Sequence, residues 1–523
     1  MASQSENDSR GILVGGKVSR IRNVLANWGG FVFTACVNFA LSPFIVHSLG
    51  DESYGIWVLL GSIVGYLGLL DLGVRGAVTR YIAKFHAQEN HLEATRVASS
   101  ALVVFALVGL FAIAVAVVLA IIIDRVFQIP PELLAVARAV LILGGINMAI
   151  SMISGVYGGV VAGLQRFDIA NLFEIAIGVV RVISIVIALK TGHGLIALAL
   201  IQLGVSGLRG LASFVLSRRL YPQLSVGFKE CQRSHLTMIF SFSVSILLLQ
   251  ASGMIILFTD SVVIGSFLPL SMVTLFAIAS NLTEYARAPV SGISQTLTPS
   301  ASALEAENEG DELERMLLVG ARIATLIVLP IVVTFIFRGG SFIGLWMGEE
   351  YAKPSGDVLC ILSLALWFAI GYQVVVATMM GISKHAGIVP AFIIEAVCNI
   401  GLSVYWLQSY GIVGVAWGTT APRLVASLLF APWYVNRVLG TSIPKFWLAV
   451  WIRPAIAIAP FALASWQIEQ HWPADNLILY FAQVAAILPL AALGAWAVSL
   501  TPSEKSRLAP PGFLRQRVSK SSD

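Results

Sequence analysis

Apolar stretches of about 20 residues or more recur along the whole chain, a length that lets a helix cross the hydrocarbon core of a bilayer. Short polar segments separate them. The pattern predicts an all-α polytopic membrane protein with about fourteen transmembrane helices, at 22–47, 54–78, 97–123, 133–162, 169–189, 194–217, 236–264, 270–298, 316–338, 355–381, 387–408, 412–436, 446–468 and 476–499. The second and eighth carry more charge than the others, and the alternation of charge between loops requires both to be spans.

Lysine and arginine fall almost entirely on every second loop. Of the 33 basic residues, 22 lie on one set of loops and the two tails, 5 lie on the other set, and 6 lie inside predicted spans. Because basic residues stay on the cytoplasmic side, this asymmetry predicts that both termini are cytoplasmic. Anionic lipid headgroups account for the basic balance, so no nucleic-acid partner is expected.

Composition excludes a soluble enzyme, since 57% of the residues are hydrophobic and only 12% are charged. Soluble domains carry about 25% charged residues. The four cysteines (Cys36, Cys231, Cys360 and Cys398) lie in three apolar segments and one basic loop, so no disulfide and no metal site is expected. No cofactor is expected either. The first twenty residues lack the apolar core of a signal peptide, so no cleavage is expected.

The chain contains an internal repeat. Residues 163–198 align with 381–415 at an offset of 218, and both segments read as glycine, basic loop, span, glycine and span. Two bundles with an even number of spans enter the membrane from the same side, so they form parallel repeats, which are expected to enclose a central cavity. The expected parts are a cytoplasmic tail, a six-helix bundle, its repeat, two extra helices and a basic cytoplasmic tail, at 1–21, 22–233, 234–440, 441–500 and 501–523.

Ionisable residues inside the spans are costly in a bilayer and need partners or a wet cavity. Glu174 and Arg209 lie 18 and 17 residues either side of Gly192, so an antiparallel hairpin places them at one depth. We interpret them as a structural ion pair. Glu395 and Arg423 stand at similar distances from Tyr410 and admit the same interpretation.

Arg181 faces no acidic residue across its predicted hairpin, which makes it a ligand candidate. Asp71 with Arg75 and Glu284 with Arg287 are each about one helical turn apart and can partly neutralise each other. These two pairs mark the second and eighth spans as the expected walls of the cavity.

Six arginines against five acids inside the spans leave a cationic surplus. The planar guanidinium binds phosphate oxygens with two hydrogen bonds, so an anionic diphosphate headgroup is the expected cargo. The substrate-binding candidates are Arg75, Arg181, Arg287, Arg423 and Asp71. The candidates for coupling to a proton or sodium are Asp260, Glu284 and Glu395.

One run of residues resembles a known family. It consists of Leu49, Gly50, Tyr54, Gly55, Ile56 and Trp57, then Leu70, Asp71, Leu72 and Gly73, then Arg80, Tyr81, Ile82 and Ala83. This signature, with the repeat layout, resembles the lipid-linked oligosaccharide flippases of bacterial polysaccharide synthesis (Wzx type). These belong to the multidrug, oligosaccharidyl-lipid and polysaccharide exporter superfamily. The similarity covers roughly residues 23–437.

The resemblance implies two six-helix lobes around a cationic cavity, and alternating access without covalent chemistry, so no enzyme activity. The cargo would be an oligosaccharide on undecaprenyl diphosphate, moved across the bacterial inner membrane, with a polymerase and export machinery as further partners. The family's cavity helices point here to Asp71, Arg75, Asp260, Glu284 and Arg287. A cation-coupled multidrug exporter and a lipid II-type flippase, which shares the count of fourteen helices, remain the alternatives.

Overall fold

The computed structural model describes residues 36–71, 73–164, 166–232, 234–236, 244–500 and 505. Both predicted tails, apart from Lys505, and parts of the first and seventh spans lie outside these residues. The described helices are α1 Cys36–Leu49, α2 Asp51–Tyr66, α3 Val74–Ala87, α4 His91–Val126, α5 Pro131–Gly163, α6 Phe167–Lys190, α7 Leu195–Leu220, α8 Val244–Phe267, α9 Leu270–Ala306, α10 Gly310–Met347, α11 Glu349–Gly381, α12 Val389–Val425, α13 Ala431–Leu439, α14 Ile443–His471 and α15 Leu477–Ser499.

Within the described ranges, eleven helices are long and apolar enough to cross a membrane. The stretch His385–Leu439 counts once there, although it contains two predicted spans. The helix Cys36–Leu49 is shorter in its described part, and α9 is not one of the eleven. The described part of each of the fourteen predicted spans is mostly helix, and the prediction of an all-α, multi-pass membrane protein is confirmed.

The chain divides into two compact units, Met1–Ala277 and Ile278–Asp523. The division falls inside α9, further along the chain than the sequence boundary at 233/234 between the repeats. Helix α8 belongs to the first unit because it packs on α2: a methyl group at Gly65 would meet the Phe258 ring, and one at Gly265 would meet Leu59. The predicted limits of the repeats stay a prediction.

The second predicted span is not one continuous helix, which corrects the prediction for 54–78. Helix α2 continues as a 3₁₀ turn over Leu67–Asp71, and α3 begins at Val74. Gly73 separates them in the left-handed conformation, with φ 74° and ψ 8°, which a residue without Cβ adopts at no steric cost. Hydropathy alone does not place this break, because Gly73 lies between the apolar residues Leu72 and Val74.

The segment between α7 and α8 is folded onto the first unit, and we call residues 221–232 the strap. Three hydroxyls near the start of α4 accept hydrogen bonds from backbone N–H groups of the strap. Ser225 N–H donates to Thr95 (3.3 Å), Gly227 N–H to Ser99 (3.1 Å) and Gln232 N–H to Ser100 (3.2 Å). Strap residues Tyr221 and Leu224 are buried in the same hydrophobic cluster as α3 and α4. The strap is therefore an ordered part of the first unit.

Each unit contains a tight helical hairpin. In the first unit α6 and α7 meet at Gly192, which has φ 77°. In the second unit α12 folds back on itself at Gly411, with φ 58° and ψ −138° inside an otherwise helical segment. Gly418 on the returning arm lies so close to Ser403 that a Cβ would come within 2.5 Å of the Ser403 backbone nitrogen.

The last two helices, α14 and α15, pack against α10 within the second unit. Their shared core contains Leu329 and Val333 of α10, Ile458 and Phe461 of α14, and Ile487 of α15. These helices lie outside the predicted repeat, yet they bury apolar surface of α10, which lies inside it. They are an integral layer of the second unit.

Candidate functional site

A cavity of about 230 Å³ lies inside the first unit, among α3, α5, α6 and α7. Its charged lining residues are Arg75, Glu174 and Arg209. Four hydroxyls also line it, those of Ser151, Ser154, Ser206 and Ser213. The cavity thus brings together one predicted substrate ligand and the two members of a predicted structural pair.

Arg75 reaches the cavity from the first turn of α3. Its backbone N–H donates to Oδ1 of Asp71 (3.3 Å), so the Asp71 carboxylate caps the start of the helix. The Arg75 guanidinium extends to α5, where Nη2 donates to the Ser151 carbonyl oxygen (3.4 Å). A Cβ at Gly155 would lie 2.9 Å from Nε of Arg75, so the guanidinium packs directly against the backbone of α5 at this glycine. Asp71 and Arg75 therefore interact, but through the backbone of Arg75.

Glu174 and Arg209 face each other across the α6–α7 hairpin. Nε of Arg209 donates to Oε1 of Glu174 (2.7 Å), and Nη2 donates to Oε2 (2.8 Å). This is the two-bonded fork of a guanidinium on a carboxylate. Both side chains remain about half exposed, at 48% and 47%, because they border the cavity. The contact expected from the hairpin is present, while its structural role stays a prediction.

The second unit carries the related pair in a different environment. Arg423 Nε contacts Oε1 of Glu395 across the Gly411 hairpin, and the two side chains are only 18% and 2% exposed. The neighbouring polar contact, from the Asn399 amide to the Thr419 hydroxyl (2.8 Å), also crosses the hairpin. Two predicted functional residues, Arg423 and Glu395, are thus buried against each other.

Glu284 and Arg287 form an ion pair within α9, with 2.6 Å between Oε2 and Nη2. Both side chains are more than a third exposed. Their spacing of three residues places them on one face of the helix, as the sequence predicts. The pair is therefore accessible.

The remaining candidates lie apart from the cavity lining. Arg181 is half-buried on α6 and does take part in an interaction, so it is not the unpaired charge that the sequence suggested. Asp260 is buried on α8, beside Thr259, whose hydroxyl is 2.7 Å from that of Tyr66 on α2. Among the described residues no group of three His, Cys, Asp or Glu side chains is arranged to hold a metal ion.

Sequence reasoning missed one charged network in the second unit. Arg338, counted with a loop in the sequence, is fully buried inside α10. Its Nε donates to Oε2 of Glu469 on α14 (3.0 Å), and its Nη2 donates to Oε1 of Gln483 on α15 (2.5 Å). The guanidinium carbon lies 4.5 Å from the centre of the Tyr480 ring. The only sequence signal was an arginine at the edge of a predicted span.

Comparison with known proteins decides the family. Residues 49–355 match the family model described as polysaccharide biosynthesis protein. The chain belongs to this family. The predicted resemblance to flippases of polysaccharide synthesis is therefore confirmed at the level of the family.

Relatives in this family extend the match over most of the chain. A putative O-antigen transporter from Shigella flexneri is 21% identical over 80% of this chain and 99% of its own length. A probable low-salt glycan biosynthesis flippase, Agl15 from Haloferax volcanii, is 23% identical over 79% of this chain and 82% of its own length.

Solved structures show the same fold. The inward closed conformation of the lipid II flippase MurJ matches with a TM-score of 0.70 at 14% identity, covering 91% of this chain and 98% of its own. An inward-facing MATE family multidrug transporter matches with 0.68 at 18% identity, covering 80% and 95%. A share of 91% is about 476 of 523 residues, so the MurJ match includes residues beyond 440.

Proposed function

We propose that this member of the polysaccharide biosynthesis family is a flippase for a lipid-linked oligosaccharide. It moves an oligosaccharide carried on undecaprenyl diphosphate from the cytoplasmic to the outer leaflet of the bacterial inner membrane. The observation that carries the proposal is the family match together with relatives, named as an O-antigen transporter and a glycan flippase, that align over about 80% of the chain.

Physical chemistry explains why such a cargo needs a protein. Each unsatisfied hydroxyl moved into hydrocarbon costs several kcal/mol, so an oligosaccharide cannot cross unaided. A polar path beside lipid-facing helices lets the sugar and diphosphate cross while the prenyl tail stays in the bilayer. This needs no bond to be made or broken, so we propose a secondary-type transporter that works by alternating access. A polymerase and export machinery would take up the product.

The charged residues divide by their exposure. Arg75 and Arg287 are accessible, so we propose them as contacts for the anionic headgroup, with Arg181 and Asp71 in support. Arg423 and Glu395 are buried against each other, which favours a structural role for both. Asp260 and Glu284 remain the proposed coupling sites.

The direct test measures leaflet exposure in proteoliposomes. Undecaprenyl-diphosphate oligosaccharide is reconstituted with and without the protein, and an added glycosidase attacks only the exposed glycan. Protein-dependent loss of protection, repeated under imposed proton and sodium gradients, is the expected result. A folded protein that leaves protection unchanged under every gradient would reject the proposal. Transport of a cationic dye by that protein would then support the cation-coupled multidrug exporter, and flipping of lipid II would support the lipid II branch.

A further inference from the structure

We propose that the cavity of the first unit binds a phosphate-bearing headgroup, with Arg75 and Arg209 as its ligands and Glu174 as the internal group that the phosphate displaces. The inference rests on the proposed function for the identity of the lipid carrier. The phosphate chemistry itself comes from the cavity.

The first argument is the shape of the Arg209 contact. Glu174 occupies Nε and Nη2 of Arg209 together, at 2.7 Å and 2.8 Å. A phosphate uses the same two-bonded geometry on a guanidinium. Glu174 therefore fills the position on Arg209 that a phosphate would take.

The second argument is exposure. The related pair of the second unit, Glu395 and Arg423, is closed, with the carboxylate only 2% exposed. The Glu174–Arg209 pair is about half exposed beside a cavity. Because protein covers only about half of each side chain, an incoming anion can reach the Arg209 guanidinium and exchange with the Glu174 carboxylate. Two hairpins of similar design thus differ in whether the arginine can be reached.

The third argument is the charge and polarity of the lining. Two guanidinium groups and one carboxylate leave an excess of one positive charge, and four serine hydroxyls supply further hydrogen-bond donors. The guanidinium of Arg75 is directed to the same space by the close approach of Gly155. This donor-rich lining suits phosphate oxygens, which accept hydrogen bonds.

The fourth argument is size and position. A volume of about 230 Å³ is many times the roughly 10–15 Å³ that one water molecule needs on this measure. That is room for a diphosphate group. The lining comes from the end of α5 and the start of α6, beside the Arg166 loop that is predicted to be cytoplasmic. A lipid carrier loaded in the cytoplasmic leaflet would meet the cavity from this side.

Binding to the purified full-length protein tests the assignment. The probes are inorganic diphosphate, a short-chain prenyl diphosphate and the matching prenyl alcohol, measured by titration calorimetry. We expect both diphosphates to bind and the alcohol to bind far less. Tighter binding of the prenyl diphosphate assigns the site to a lipid headgroup, and equal affinity assigns it to free phosphate from water. Equal binding of the alcohol would overturn the proposal.

Variants give a signature that a purely structural ion pair does not produce. Arg75→Gln and Arg209→Gln should each weaken diphosphate binding about tenfold, since each removes a charged hydrogen-bond donor. Glu174→Gln should strengthen binding, because it removes the competing carboxylate. If Glu174→Gln lowers the melting temperature and leaves affinity unchanged, the pair is structural and the proposal fails.

Two further variants keep the test valid if an arginine variant does not fold. Gly158 lines the cavity and a Cβ there meets nothing within 4 Å, so Gly158→Leu should place its side chain in the cavity and abolish binding at unchanged melting temperature. Arg138→Gln is the matched control. Arg138 pairs with Asp124 at 3.0 Å, is 42% exposed and does not line the cavity, so affinity should not change.

The glycosidase protection assay separates this inference from the proposed function. Flipping by the parent protein, with diphosphate binding by Gly158→Leu undiminished, rejects the cavity site and leaves the function standing. The expected binding pattern in a protein that does not flip supports the phosphate site and rejects the flippase.

Discussion

Arg338 and Glu469 are 131 residues apart and joined by a hydrogen bond of 3.0 Å, with the arginine side chain fully buried. The bond connects α10 to α14, and the contact from Arg338 to Gln483 connects α10 to α15. The Arg338 guanidinium therefore connects α14 and α15, which lie outside the predicted repeat, to α10, which lies within it. This relationship gives the last two helices a structural role in the second unit.

Glu469→Ala should destabilise the protein more than the loss of an ordinary ion pair. The change leaves a buried guanidinium without its carboxylate, which costs about 3–5 kcal/mol. The free energy of unfolding, measured by denaturant titration in mixed micelles, is the readout. The control is Lys445→Ala, which breaks a bridge of 2.7 Å to Glu314 at a lysine that is 54% exposed. That loss should stay within about 1 kcal/mol, and equal effects of the two variants would contradict the prediction.

Arg338 shows where prediction from the sequence ends. The predicted span of about 20 residues ends at Arg338, so this residue is counted with the following loop. The helix in fact runs for 38 residues to Met347. The partners that permit a buried guanidinium lie more than 100 residues further along the chain. Periodicity and hydropathy carry no information on such contacts.

Gly411→Ala should lower the melting temperature of the purified protein. Gly411 has φ 58° and ψ −138°, a conformation that costs a residue with a Cβ about 1–3 kcal/mol. Gly401→Ala is the control in the same hairpin, because a Cβ there meets nothing within 4 Å and the backbone is helical. Gly401→Ala should be neutral or slightly stabilising. A similar melting temperature for both variants would show that the turn tolerates a side chain.

Arg423→Ala should lower the amount of protein in the membrane, whereas Arg287→Ala should lower transport. Loss of Arg423 leaves the Glu395 carboxylate, which is 2% exposed, buried without its ion-pair partner, so the amount of protein in the membrane should fall. Loss of Arg287 leaves an accessible Glu284, so abundance should hold while transport falls. Immunoblots of membranes and the glycosidase protection assay measure the two quantities.

The prediction fails if Arg287→Ala reduces abundance as strongly as Arg423→Ala does. A double variant, Glu395→Gln with Arg423→Met, provides an internal check. It removes both charges together and should recover part of the lost abundance, because coupled residues are not additive.

Ser99→Ala with Ser100→Ala should loosen the strap. The two hydroxyls accept the backbone N–H groups of Gly227 and Gln232, and their removal leaves those donors without acceptors. Cys231 lies between the two donors and is half-buried, so it reports on the change. In a background where Cys36, Cys360 and Cys398 are serine, a water-soluble maleimide should label Cys231 faster in the double variant.

Ser266→Ala is the control for this labelling, since its hydroxyl donates to the Val262 carbonyl of its own helix (2.8 Å). It should leave the labelling rate unchanged. If the double variant also labels at the rate of the parent, the serine contacts do not hold the strap in place.

The hairpin pairs show how far sequence could go towards the candidate site. Similar distances from a turn are enough to place Glu174 opposite Arg209 and Glu395 opposite Arg423, because antiparallel helices have the same rise per residue. Sequence could not distinguish the open first pair from the closed second pair, since exposure depends on how α3 and α5 pack around it. It also could not show that Arg75 reaches α5 and shares a cavity with Arg209.

The strap has a consequence for biosynthesis. Its hydrogen-bond acceptors Thr95, Ser99 and Ser100 all precede it in the chain. Since domains form as units from the N-terminus during synthesis, these bonds can close while the second half of the protein is still on the ribosome. The strap can therefore pack against the first six predicted spans before the following spans enter the membrane.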